Sequence, residues 1–556
     1  MKRTWSTALA VVVMVSVALA GCARLPSDVD SGTPSPTQSQ SQLPSVTPSV
    51  SPSGYPTRHK VDMSVKQGLF YEIFVRSFAD SNGDGIGDLN GVTAKLDYLK
   101  NLGVQGIWLT PIHPSPSYHG YDVVDYDAIN PDFGTMADFL NLLTQAHQRG
   151  IKVIIDFVAN HTSSEHPWFL EAKANPNSPY RDYYRFVSGD DPGVNLEMVA
   201  PWGGKVWRPV GDGTYYYGIF DSSMPDLNYD NPSVRQAMTQ AAQKWMQRGV
   251  DGFRVDAAIH VYAGNEPSSS GQDATTKNLQ WWNEFALACE SVNPQAYIVG
   301  ETWNTGQVLA EYAQPFDTTF DFPFQEKLAP AIIMGEAMVS QQPLAEFFAN
   351  DLRQRLEADP KYLNGPFGSN HDLPRMMSAL TPVGSPDAAK LVASIYLTLP
   401  GNPYIYYGEE LGMYGPKPDE VIREPFRWSG DGTGMDTTWQ EDKVNNGVAP
   451  LSEQVNDPGS MYSHYARLIS ARQDHAKLFA EGTFTAVPTD PAVMGYLRAT
   501  SDQGIYVFHN FSIHTVTVDV SSLKLGSVVF TSSNSNLIQQ GRITLAPHGS
   551  VFVMKQ

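Results

Sequence analysis

Four short runs carry the side chains best suited to chemistry: Asp156-Phe157-Val158-Ala159-Asn160-His161, Gly252-Phe253-Arg254-Val255-Asp256, Val299-Gly300-Glu301-Thr302-Trp303 and Phe367-Gly368-Ser369-Asn370-His371-Asp372. They bring together carboxylates, an arginine and two histidines, a set that points to an enzyme working with carboxylates. Arg254 and Asp256 stand two residues apart. On a strand that spacing puts both on one face, so the guanidinium can hold Asp256 ionised and correctly turned.

The first three runs follow apolar stretches (151–155, 252–255 and 297–299) that read as buried parallel strands. Polar residues where such a strand gives way to a loop are what a (β/α)8 barrel needs, because its active site gathers at the C-terminal ends of its strands. The surrounding chain agrees. Strand-like runs at 69–75, 104–109, 153–157, 252–255, 297–299, 318–322 and 403–407, with a weaker one at 365–369, alternate with amphipathic helical stretches such as 136–149 and 234–247. Eight strands separated by helices argue for an α/β fold closed as a TIM barrel, over residues 63–476. More than sixty residues rich in Pro, Asn, Gly and aromatics interrupt it after the third strand, at about 160–224, and read as an inserted domain. Past residue 476 short β-prone runs separated by turn residues predict a C-terminal antiparallel β-sandwich, 477–556.

The N-terminus reads differently. Lys2 and Arg3 precede an apolar stretch, 8–20, too short to span a membrane, which closes on Leu19-Ala20-Gly21-Cys22. This resembles a bacterial lipoprotein cleavage site. It implies a signal peptide over 1–21, a lipid on Cys22, and a location at the cell surface or in the periplasm, anchored to the membrane. Residues 22–62 are dominated by Pro, Ser, Thr and Gln and cannot bury enough apolar area to offset chain entropy, so a disordered tether is expected. Cys289 is the only other thiol, which leaves no disulfide and reads as a buried core residue. A net charge of −20 argues against nucleic acid as a partner.

One loop has the composition of a hard-cation site. In Asp80-Ser81-Asn82-Gly83-Asp84-Gly85-Ile86-Gly87-Asp88, oxygen donors fall at alternate positions: Asp80, Asn82, Asp84, the Ile86 carbonyl and Asp88. It is not an EF-hand, since the twelfth position is Gly91 instead of Glu. Calcium is the expected cofactor.

With the motifs laid out, the chain resembles the α-amylase family of glycoside hydrolases, family 13. Gly106-Ile107-Trp108-Leu109-Thr110-Pro111 and Gly120-Tyr121-Asp122-Val123-Val124-Asp125-Tyr126 resemble its second strand end and the loop that follows. The run from Gly401 to Glu410 resembles its eighth strand, and Met224-Pro225-Asp226-Leu227-Asn228 resembles a marker closing the inserted domain. That marker mixes the forms of oligo-1,6-glucosidases and neopullulanases, which implies a subfamily between the two. The oligo-1,6-glucosidase branch carries a calcium-type loop of the pattern seen at 80–88, and Asn160 matches a position that binds a different calcium in many amylases.

The resemblance implies roles for individual residues. Asp256 becomes the nucleophile, Glu301 the general acid/base and Asp372 a third carboxylate that distorts the sugar ring. His161 and His371 donate hydrogen bonds to the sugar, the Tyr121 ring stacks beneath it, Asp122 binds its hydroxyls, and Asp156 supports the Arg254 network. Where many α-amylases carry Lys-His after the nucleophile, this chain has Ile259-His260, so His260 stays a substrate-binding candidate while the grip on long starch chains weakens. The expected activity is retaining cleavage of α-1,4-glucosidic bonds in starch, maltodextrins or related α-glucans by a monomer. The alternatives are α-1,6 cleavage, neopullulanase-like action or transfer to a sugar. A non-catalytic glucan-binding lipoprotein is disfavoured because all three carboxylates are present.

Overall fold

The computed structural model describes Arg58, Lys60 and residues 62–262 and 273–556. The signal segment, Cys22 and the tether up to residue 57 lie outside the described residues.

Eight parallel strands form the barrel: β1 (Phe70–Ile73), β2 (Gly106–Leu109), β3 (Lys152–Phe157), β4 (Gly252–Val255), β5 (Tyr297–Gly300), β6 (Thr318–Phe320), β7 (Leu363–Gly365) and β8 (Tyr404–Tyr406). They pair in the order β7-β6-β5-β4-β3-β2-β1-β8, and a parallel bridge from Phe367 to Tyr404 closes the ring. Successive side chains alternate between the two faces of each strand. Tyr71, Ile107, Val153, Ile155, Phe253 and Ile298 pack outward in the core shared with the helices. Phe70, Trp108, Ile154, Tyr297, Val299, Phe320 and Tyr404 fill the interior. Two residues further along their strands, still on the inner face, stand Glu72 after Phe70 and Asp156 after Ile154, each at most 1 % exposed. Apolar packing below and ionisable groups above thus follow from the strand period.

Two glycines let strands approach closely. A Cβ on Gly252 would stand 1.7 Å from the Tyr297 carbonyl oxygen of the neighbouring β5. One on Gly401, at φ +91°, would meet the Asn364 carbonyl of β7 at 2.1 Å.

Strand β7 lies two to four residues earlier than the run 365–369 predicts. Pro366 has no N–H to give to a ladder, and the Ser369 N–H goes to the Glu409 carboxylate at 2.8 Å. Of that run Gly365 ends β7, paired with Phe320, and beyond it Phe367 makes an isolated bridge to Tyr404.

The segment between β3 and β4 holds a helix (Pro167–Ala174) and a three-stranded antiparallel sheet with Thr214–Tyr217 between Phe186–Ser188 and Trp207–Pro209. Its own small core gathers Ala200, Val206, Trp207, Tyr217 and Ile219. The C-terminal strands are β9 (Thr483–Val487), β10 (Val493–Ala499), β11 (Gly504–Asn510), β12 (Val516–Asp519), β13 (Leu525–Thr531), β14 (Leu537–Gln539), β15 (Arg542–Leu545) and β16 (Ser550–Lys555). They form antiparallel sheets of five (β9-β10-β11-β16-β13) and three strands (β12-β15-β14). Between the sheets pack Val493, Phe508, Val518, Ile543, Leu545 and Val553.

The folded unit begins earlier than the expected tether boundary at 62. Arg58 and Lys60 are buried, and Arg58 pairs with Asp317 at 2.9 Å and Glu290 at 2.8 Å. Lys66 meets the same Asp317 at 2.9 Å, and Lys60 meets Asp359 at 2.7 Å. Asp317 lies immediately before β6, so these cations fasten the N-terminal segment to the barrel. Composition marked 58–62 as tether because it cannot show that charged side chains find buried partners.

At the other end a buried guanidinium joins barrel to sandwich, and a second braces the barrel beside it. Arg472 donates to the carbonyls of Leu397 (2.6 Å) and Gly401 (2.7 Å). Arg498 of β10 donates to those of Thr398 (2.6 Å), Phe479 (2.9 Å) and Gly482 (2.9 Å). Among the described residues neither is paired with an acid, and burial pushes both down to about 9. Cys289 is buried, as expected of a core thiol.

Candidate active site

Arg254 is the hub. Its position on the inner face of β4 aims the guanidinium across the barrel mouth. There Nη1 meets Asp256 at 2.7 Å and Asp156 at 2.9 Å, and Nη2 meets Glu301 at 2.9 Å. Asp256 follows β4 and Glu301 follows β5, so adjacent strands deliver two carboxylates to one cation. Ala257, directly after Asp256, adopts a left-handed conformation (φ +48°), and its N–H bonds Glu301 Oε2 at 2.8 Å. A non-glycine residue held there costs roughly 1–3 kcal/mol, and here it ties the two acids together a second time.

Asp372 arrives on the loop after β7. His371 beside it is sandwiched, with Nδ1 2.6 Å from Glu72 and Nε2 2.8 Å from Asp372. Tyr121 lies parallel to the His371 ring at 5.4 Å and donates its hydroxyl to Asp156 at 2.9 Å. Arg423, from the loop after β8, reaches Asp372 at 3.0 Å and Asp419 at 3.2 Å.

Burial alone would make every carboxylate here harder to ionise, so their neighbours decide the outcome. Burial pushes Asp256 up and Arg254 opposes it. Burial also pushes Glu301 up against the pull of Arg254, and the negative charges of Asp256 and Asp372 add to the rise. Asp372 goes the other way: despite burial, His371 and then Arg423 hold it well below the usual carboxylate range. Burial would lower His371, but Asp372 and Glu72 overcome it and raise the imidazole to about 10. The site therefore holds two raised carboxyls that share one guanidinium, of which Glu301 feels the negative charge of both other acids, and a third carboxyl held firmly anionic. That division allows acid, nucleophile and charge-stabilising roles in a single cavity.

The cavity measures about 450 Å³ and is lined by Tyr121, His161, Asp256, His260, Glu301, Trp303 and Asp372. Tyr118, His119, Asp419 and Arg423 also line it, as do Trp202, Phe220, Asp221, Met224, Ala257 and Ile259. Arg254 and His371 lie behind the wall, at 1 % and 0 % exposure. Asp122, expected at the sugar hydroxyls, is not on the wall. It is buried and accepts hydrogen bonds from the hydroxyls of Ser115 and Ser117 on its own loop. His161 lines the cavity, but burial pushes it down to about 4, and in this neutral state its Nε2 bonds the Tyr121 carbonyl at 3.0 Å. Asp156 is fully buried under Arg254, Tyr121 and Trp108, a supporting position.

Sequence reasoning passed over Glu72, Arg423, Trp202 and Phe220. Glu72 had a signal, as a lone acid on the inner face of an otherwise apolar strand. The other three sit in irregular segments without periodicity.

A model of the α-amylase catalytic domain matches residues 72–482. The chain belongs to the α-amylase family. The α-amylase SusG C-terminal domain matches residues 493–552 of its sandwich. Among curated relatives, alpha-amylase 3 of Dictyoglomus thermophilum is 41 % identical over 474 residues, covering 84 % of this chain and 89 % of that protein. A probable oligo-1,6-glucosidase of Bacillus subtilis is 33 % identical, with 77 % and 87 % covered. A 4-alpha-glucanotransferase of Thermotoga maritima is 32 % identical, with 79 % and 94 % covered. The alpha-amylase of H. orenii superimposes with a TM-score of 0.80 at 39 % identity, covering 88 % of this chain and 100 % of that one. This α-amylase-family protein is an enzyme, a glycoside hydrolase on an eight-stranded barrel with a C-terminal antiparallel domain.

Many α-amylase-family proteins bind calcium, and the 80–88 loop was the expected place. Among the described residues no three Asp, Glu, His or Cys side chains converge as a metal cage. The loop's acids are turned to its own donors: Asp80 accepts the N–H groups of Gly83 (2.7 Å) and Gly85 (2.8 Å), Asp84 that of Ile86 (2.8 Å), and Asp88 that of Gly91 (2.7 Å). The donor chemistry still suits a hard cation. It is all oxygen, and among the described residues no Lys or Arg pairs with any of the three acids.

Proposed function

We propose that the enzyme cleaves α-1,4-glucosidic bonds of maltodextrins with retention of configuration. Asp256 attacks the anomeric carbon as the bond to the leaving oxygen breaks, and Glu301 gives that oxygen its proton. Glu301 then takes a proton from water, whose oxygen displaces Asp256 from the same carbon and regenerates both groups. Asp372, kept anionic by His371 and Arg423, stabilises the positive charge that develops on the ring. One observation carries this reading. A single guanidinium holds Asp256 and Glu301 side by side, and the Ala257 N–H beside Asp256 holds Glu301 a second time, an arrangement that supports the closely paired carboxyls a retaining mechanism needs. Cleavage of α-1,6 bonds or transfer to sugar acceptors is the second reading, favoured by the oligo-1,6-glucosidase and glucanotransferase named among the relatives.

Panose separates the linkages, yielding isomaltose and glucose by α-1,4 scission but maltose and glucose by α-1,6 scission. Product NMR in the first minutes on maltoheptaose should show the α-anomer; the β-anomer would overturn the retaining mechanism. Pullulan products and added acceptors measure transfer.

Two further assignments belong to this proposal. Asp80, Asn82, Asp84, the Ile86 carbonyl and Asp88 would hold calcium, which would supply cohesion of the loop after β1 and no bond-making. Cys22 would carry lipid and place the monomeric enzyme on the outer side of a membrane, where α-glucans are met.

A further inference from the structure

The inner face of β1 carries one acid above its apolar residue, and the proposed reaction leaves that acid unused. Glu72 follows Phe70 on this face and is buried behind the cavity wall. Its Oε1 lies 2.6 Å from Nδ1 of His371 and 3.3 Å from the His371 backbone nitrogen. The other ring nitrogen, Nε2, lies 2.8 Å from Asp372 and 2.6 Å from the Tyr121 hydroxyl. Glu72, His371 and Asp372 thus form a line from the first strand to the cavity.

The partners dictate the protons on the ring. An ionised carboxylate accepts hydrogen bonds and gives none. Glu72 therefore requires a proton on Nδ1, and Asp372 requires one on Nε2. Tyr121 agrees, because its hydroxyl donates to Asp156 at 2.9 Å and leaves a lone pair to face Nε2. A neutral imidazole has only one of these protons and would set a bare lone pair against an anion. The other neighbours do not undo this. The Trp108 ring meets the imidazole edge-on at 5.6 Å, and Arg423 donates to the His371 carbonyl at 3.0 Å rather than facing the ring. Asp156 and Asp256 act on the imidazole through space, and both are paired with Arg254. Tyr406 of β8, a titratable group near Glu72, is kept a neutral phenol by burial. Burial opposes the charge on His371, yet its two flanking acids carry the imidazole to about 10.

We propose that Glu72 is a positioning residue: it keeps His371 doubly protonated and correctly turned, and through that ring it keeps Asp372 anionic and aimed at the sugar. The role of Asp372 rests on the proposed reaction, whereas the state of the ring rests on the contacts around it. The charge of Glu72 matters here more than its shape. A glutamine could turn either its carbonyl or its amide towards Nδ1, so neither the tautomer nor the charge of the ring would be fixed.

The test follows the His371 ring by NMR in the full chain labelled with ¹⁵N-histidine, with His371→Asn to assign its signals. Wild-type His371 should stay charged until the pH approaches about 10. Glu72 raises the proton affinity of the ring, so in Glu72→Gln the charge should vanish at lower pH, by about one unit or more. Above that pH, kcat on maltoheptaose should fall roughly tenfold or more relative to wild type at the same pH. KM should change little, because the charge of Asp372 counts most in the transition state. Glu72→Asp, which keeps the charge on a shorter stem, should restore much of the titration. A ring that titrates in Glu72→Gln as it does in wild type would overturn the proposal, and so would a ring that loses its charge with no fall in kcat. Wild-type protein decides without any variant if its His371 ring is neutral at pH 7, which would also overturn it. Wild-type enzyme inert on maltoheptaose, with the ring titrating as expected, would overturn the proposed reaction and leave the coupling of Glu72 to His371 standing.

Discussion

Replacing Arg254 with lysine is the most incisive perturbation of the catalytic centre. The guanidinium serves Asp156 and Asp256 through one nitrogen and Glu301 through the other, at 2.7–2.9 Å. A lysine ammonium is one compact nitrogen on a flexible stem and cannot keep all three partners. A lost hydrogen bond to a charged group costs about 1.5–3 kcal/mol, equivalent to a rate loss of roughly 10- to 150-fold if it falls on the nucleophile. The pH profile sharpens the expectation. Burial already pushes Asp256 and Glu301 up, and Arg254 is the principal opposing influence on both. The lysine ammonium keeps a charge but cannot reach every partner, so a carboxyl it releases rises further. The acid limb of kcat/KM, where Asp256 must be ionised, should then move to higher pH by about one to two units for the same energy. The alkaline limb, where Glu301 must hold its proton, should move up as well. Circular dichroism melting would confirm that the variant folds. A variant with reduced kcat/KM but an unmoved acid limb would refute the electrostatic argument and reduce Arg254 to a spacer.

Three other outcomes are expected. Asp256→Asn keeps shape but removes the attacking charge, so kcat should fall by roughly 10⁴ or more while maltoheptaose binding, read by calorimetry, largely survives; near-normal turnover would remove Asp256 from its role. If the 80–88 loop holds calcium, chelation should lower the melting temperature, and Asp84→Ala should melt like the chelated protein and ignore added calcium. Wild-type melting indifferent to chelation, with no metal by elemental analysis, would reduce the loop to a turn. Cys22→Ser should release active enzyme from the membrane fraction; continued sedimentation with membranes would show that another element holds it.

The sequence revealed the barrel because β3, β4 and β5 are continuous apolar runs closed by polar residues. Arg254 and Asp256 were legible because their spacing matches the strand period, a local property. The placement of Asp122 behind the cavity wall was not legible for the converse reason: its partners Ser115 and Ser117 share its loop, and no periodic rule fixes how a loop folds on itself. Arg423 and Trp202 reach the cavity from segments whose path depends on tertiary packing. Arg58 and Lys60 looked like solvent-exposed tether because the acids that neutralise them lie more than 230 residues away in sequence.

The guanidinium seam between barrel and sandwich bears on how such enzymes can be recombined. Arg498 belongs to the sandwich, but its acceptors include Thr398 of the barrel and three carbonyls at the end of the connecting helix (Ala476–Glu481). Arg472, on a barrel helix, grips the neighbouring carbonyls of Leu397, Leu399 and Gly401. Cutting the chain at the connecting helix would strand either cation-seeking carbonyls or a buried cation, and an unpaired buried charge is among the costliest defects a fold can carry. The natural exchange unit for chimeras is therefore not the sandwich but the sandwich together with the 397–401 turn that receives its arginine.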